Sequence, residues 1–205
     1  MGFICQRPGT ALLGLAAVAV CVGSLAYFSA PVGDYPFDEQ NRAYAGLHDV
    51  LVVHIAAGMT ALLAGPIQLL VCMQARLRAL HRLVGVTFAG AAVLCAVCGL
   101  ILAGHAFGGG PNNAAFSALA VLLLVTTVMG VGKILIRDPA GHRIWMLRAY
   151  ALIFSAVTLR AETAVLVAGF QLDFPTAYGI AAWTCWVGNL VVTEWLILAR
   201  GARRS

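Results

Sequence analysis

Apolar residues run almost unbroken over six stretches, about 11–29, 47–73, 83–104, 114–136, 144–169 and 176–199. Each is close to the roughly 20 residues that an α-helix needs to cross about 30 Å of hydrocarbon. They are too long and too continuously apolar to be barrel strands. Lipid offers no hydrogen bonds, so each segment must satisfy its own backbone and is expected to be helical. The pattern predicts an all-α fold, a six-helix transmembrane bundle that forms one membrane domain over 1–205. Spans two to five are expected to surround the polar groups, with spans one and six at the periphery. The first apolar run is longer than a signal-peptide core, and Phe28 stands where cleavage at Ala30 calls for a small residue. It is expected as an uncleaved first span.

The connections between spans alternate in charge. Arg76, Arg78 and Arg82 follow span two, and Arg137 and Arg143 flank the turn after span four. Arg7 precedes the first span, and Arg200, Arg203 and Arg204 end the chain. The opposite connections carry Asp34, Asp38, Glu39 and Asp173 against Arg42 alone. Basic loops stay in the cytoplasm, so both termini are expected inside. Only 10% of the 205 residues are charged, against roughly 25% in a soluble domain. The net charge of +5 is spread over the inner connections, where topology explains it, so no nucleic-acid partner is expected. The expected partner is the lipid bilayer.

Ionisable groups inside a span are costly and point to function. Near the outer side lie His54 in span two and Arg160 and Glu162 in span five. Near the cytoplasmic side lie Gln68 in span two, His81 opening span three, His142 opening span five, and Asn189 and Glu194 in span six. Glu194 is expected to reach the headgroups or Arg200. Arg160 lies well inside its helix. Glu162 points elsewhere, so Arg160 calls for a counter-group on another helix or a ligand. Cys5, Cys21, Cys72, Cys95, Cys98 and Cys185 mostly fall within apolar spans, where thiolates are disfavoured. They are expected as small packing residues.

Helical spacing groups these residues. His54, Gly58, Ala61, Gly65 and Gln68 share one face, and Pro66 is expected to bend that helix. His142 and Arg160 are separated by five turns, about 27 Å, on one stripe of span five. His81-Arg82 and His142-Arg143 open spans three and five alike, which suggests a repeat of two hairpins.

The stretches His81-Arg82-Leu83-Val84-Gly85 and His142-Arg143-Ile144-Trp145-Met146-Leu147-Arg148 carry a resemblance. With His54-x-x-x-Gly58, Gly65-Pro66-Ile67-Gln68 and Thr158-Leu159-Arg160, they resemble a bacterial family of predicted multi-pass membrane proteins of unknown function. The resemblance covers spans two to five and implies an inner-membrane location. More weakly, the chain is similar to six-helix transmembrane b-type cytochromes, in which histidines of helices two to five hold two haems. That similarity implies one bis-His site, with His81 and His142 ligating haem b iron. Arg82, Arg143 and Arg148 would pair with the propionates. Span four has no histidine, which leaves His54 without a clear counterpart for an outer haem.

Three functions fit these residues. The first is a redox protein that holds haem b through His81 and His142 and exchanges electrons with quinone. The second is a small-solute or proton-coupled carrier that uses His54 and Arg160 as an outer site. The third is a membrane-embedded enzyme, with His81, His142 and Glu194 holding zinc or iron. No short H-x-x-E or H-x-x-x-H ligand pair supports the third.

Overall fold

The computed structural model describes residues 7–32, 34–35, 44–71 and 75–202, without the side chains of 7–8, 45, 75 and 200–202. Cys5, Asp38, Glu39, Arg42, Cys72, Arg203 and Arg204, and the side chains of Arg7 and Arg200, lie outside the described residues. Among the described residues every regular element is a helix: α1 (Arg7–Ser24), α2 (Ala26–Ser29), α3 (His48–Val71), α4 (Arg78–Ala103), α5 (Gly110–Leu135), α6 (Pro139–Ile153), α7 (Ser155–Phe170) and α8 (Phe174–Ala202). They supply six segments long and apolar enough to cross a bilayer.

Three of these segments begin four or five residues before the apolar stretches do, at Arg78, Gly110 and Pro139. Hydropathy marks where a chain enters hydrocarbon, whereas a helix begins where its start signals lie. Pro111 and Pro139 sit in the first turns of α5 and α6, where their fixed φ suits a helix start. Asp138 caps α6, its Oδ1 accepting from the Gly141 N–H at 2.8 Å. Gly108 and Gly109, at φ 91° and 73°, turn the chain through a region open to glycine.

The chain divides into two compact units, Met1–Cys98 and Gly99–Ser205. In the first, α1 packs on α3 through small residues. Thr10, Ala17, Cys21 and Ser24 are buried on α1, and the Cys21 thiol faces the Met59 carbonyl at 3.9 Å. Small side chains let two backbones approach closely. The α3 helix runs through Pro66 without interruption. At the start of α3, Tyr35 stacks between Tyr27 and His48. Its hydroxyl lies 3.0 Å from His48 Nδ1.

The second unit is built from α5, α6, α7 and α8. Within this unit α8 packs along α7 and also touches α5 and α6. Ala177, Ala181, Ala182, Cys185 and Trp186 of α8 are buried. Span five runs from Pro139 to Phe170, with an irregular turn at Phe154 between α6 and α7 that falls inside the stripe expected from His142 to Arg160.

Both units expose large apolar side chains along their helices, including Val86 at 68% and Leu198 at 70%. Contiguous apolar surface of this kind is what a bilayer covers.

Candidate functional site

In the first unit two polar side chains bridge α3 and α4. His54 Nδ1 lies 2.9 Å from the Cys95 carbonyl and 3.6 Å from its thiol. A ring nitrogen facing a carbonyl must carry a proton, so Nδ1 is the donor in this contact. Gly58, one turn further along, runs close to Cys95. Toward the other end of α3, the Gln68 Nε2 amide donates to the His81 carbonyl at 2.7 Å. Gly85 makes room for it, since a Cβ there would stand 3.0 Å from that nitrogen. Gln68 Oε1 and His81 Nδ1 are both buried, whereas Arg82 is exposed beside them.

In the second unit His142 sits in the first turn of α6. Its Nδ1 lies 2.7 Å from the Gly130 carbonyl of α5, so here too Nδ1 is the donor. Arg143 is half-buried next to it. The polar residues of spans five and six meet one another. Arg148 grips Glu194 with two hydrogen bonds, Nε to Oε1 at 2.5 Å and a second nitrogen to Oε2 at 2.9 Å. Its guanidinium also lies 4.6 Å over the Trp145 ring, a favourable cation–π arrangement. The carboxylate of Glu194 is therefore met by Arg148. The charge that the sequence suggested for a haem propionate is already neutralised within the unit.

At the break in span five, Asn189 of α8 donates to the Ala151 carbonyl at 3.0 Å and to Thr158 Oγ1 at 3.1 Å. Thr158 in turn donates to the Cys185 carbonyl at 3.0 Å. An inserted side chain that serves a helical carbonyl is a recognised cause of kinking. Further along, Thr184 donates to Glu162 at 2.5 Å on the exposed face. Arg160 is exposed and donates to the Ala156 carbonyl at 2.8 Å, one turn back toward the middle of the helix.

Sequence reasoning singled out the ionisable residues and held Thr158 only as part of a motif, and it missed Thr184 and Gly130, whose roles come from pairing across helices. Spacing along one helix carries no signal for such partners. Among the described residues no three His, Cys, Asp or Glu side chains gather as a metal site. The three-ligand arrangement with Glu194 therefore finds no support.

Six apolar helices with polar side chains paired between them define a multi-pass integral membrane protein. Residues 51–197 match the family described as Predicted membrane protein (DUF2306), and the chain belongs to that family. No protein of curated function and no solved structure matches it.

Proposed function

We propose that the protein is a redox protein of the bacterial plasma membrane that binds b-type haem through intramembrane histidines and exchanges electrons with quinone. The observation that carries this reading is the hydrogen bond from His142 Nδ1 to the Gly130 carbonyl. A ligand histidine commonly donates its second ring N–H to a carbonyl, which fixes the ring and raises the basicity of the coordinating nitrogen. His142 meets that condition and keeps Nε2 available. Haem iron, when bound, supplies one-electron chemistry. His142 is the ligand of the second unit and His81 the candidate of the first. Gln68 ties the His81 backbone to α3. Arg82 and Arg143 stand beside these histidines as charge partners for propionates, while Arg148 is occupied by Glu194. Both histidines lie at the basic ends of their spans, which the charge rule assigns to the cytoplasm.

The test is an absorption spectrum of detergent-purified protein from haem-replete cells. The expected result is a Soret band with a reduced α-band, lost in His142→Ala and in His81→Ala. A colourless wild-type protein that added haemin does not restore overturns the proposal.

A second reading, a small-solute or proton-coupled carrier, draws support from the polar pairs along spans five and six, above all Glu162 with Thr184. Solute or proton flux into proteoliposomes that falls in both Glu162→Gln and Arg160→Ala favours it. Equal flux in wild type and variants removes it.

A further inference from the structure

We infer that Gly130 is a positioning residue for His142, and that Met146 is the side chain through which any substitution there acts. This deepens the haem reading and rests on it for the ligand role of His142, although the geometry stands by itself. Gly130 is buried in α5. A Cβ at this position would lie 2.5 Å from Met146 Sδ, 3.2 Å from its Cγ and 3.5 Å from its backbone nitrogen. The last distance is ordinary contact, so the α6 backbone itself leaves room, and the Met146 side chain is what an added methyl group would have to move. His142 and Met146 are one turn apart on α6 and share a face. One side chain closes on the Gly130 carbonyl while the other fills the space a methyl group would need.

The consequence is chemical. A neutral imidazole has two tautomers, and the choice is set by what the ring nitrogens face. The close approach of α5 and α6 brings the Gly130 carbonyl to Nδ1, places the proton there and leaves the lone pair on Nε2. An alanine at position 130 must displace the Met146 side chain, and that repacking, one turn from His142 on the same face, is what loosens this contact. Removing the thioether with Met146→Ala gives the added methyl somewhere to go.

The experiment uses full-length protein in lipid nanodiscs with 15N-labelled histidine, alongside haemin titration. Wild type is expected to show His142 protonated at Nδ1 and not at Nε2, identified by the signal missing in His142→Ala. Gly130→Ala is expected to lose that signature and to bind haemin about 10- to 100-fold more weakly, the usual effect of removing a partner behind a metal ligand. Gly130→Ala/Met146→Ala is expected to recover both, and this variant carries the test if the single variant does not fold. Wild-type tautomer and affinity in a folded Gly130→Ala overturn the inference, as does a folded double variant that lacks the Nδ1–H signature. If no variant binds haemin but the tautomer follows the pattern above, the positioning role stands and the haem reading falls.

Discussion

Arg148 and Glu194 show how a charged pair is carried within apolar helices. Each charge alone would be costly in hydrocarbon. Together they form a two-pronged contact, with the guanidinium resting on Trp145. Losing one partner leaves the other charge without its neutraliser. Arg148→Ala is expected to destabilise the protein by about 1–3 kcal/mol. Arg148→Ala/Glu194→Ala should cost less than the sum of the two single changes, because the residues share one interaction. Arg148→Lys should fall between, since an ammonium lacks the planar fork. Reversible unfolding in mixed micelles measures the wild type and all four variants. Strict additivity would mean that the pair contributes nothing.

At the scale of elements, the joint in span five depends on span six. Asn189 serves both the Ala151 carbonyl and Thr158 across the break at Phe154. Asn189→Leu removes both donors and should destabilise the second unit by about 1–3 kcal/mol. It should also speed amide exchange over 151–158, which mass spectrometry resolves by segment. Unchanged exchange there would show that the break stands without Asn189. The start of α6 makes a different prediction. The Gly141 N–H, with Lys133 at 3.3 Å, holds the Asp138 carboxyl below the usual carboxylate range. A lowered value in the folded state means stability that is present above the ordinary carboxylate range. It is lost as pH falls through the lowered value. Asp138→Asn can still cap the helix and should flatten that acid limb, leaving the variant at neutral pH about as stable as the acidified wild type.

Much at this scale was legible in advance. Continuous apolar runs gave all six helices, because lipid forces the backbone of any such run to bond within itself. The histidines and most of the intramembrane charges stood out for the same reason, as departures from that run. The break at Phe154 did not stand out. No proline or glycine marks it, and its stabiliser lies 35 positions away at Asn189. Gly130 was equally silent, since one glycine among many carries meaning only once Met146 and His142 are seen against it.

For the whole molecule, the sorting of charge predicts an orientation that can be measured. Arg137 is exposed in a basic connection and Asp173 in an acidic one. A membrane-impermeant maleimide should label Asp173→Cys in intact spheroplasts, and Arg137→Cys only in inverted vesicles. The opposite pattern would reverse the topology. Of the six native cysteines, Cys21, Cys95, Cys98 and Cys185 are buried and should contribute little background, and Cys5 and Cys72 are replaced by serine for the experiment.

The fifth span covers 32 residues, a rod of about 48 Å at 1.5 Å per residue, against a hydrocarbon layer of about 30 Å. Such a rod must lean, or push its ends into the headgroups. At Phe154 its regular bonding is interrupted, and Asn189 of the sixth span holds both sides of that turn. A thinner or thicker membrane would then be met by a change of lean or by deeper headgroup contact at the two ends, with the braced middle of the span left as it is.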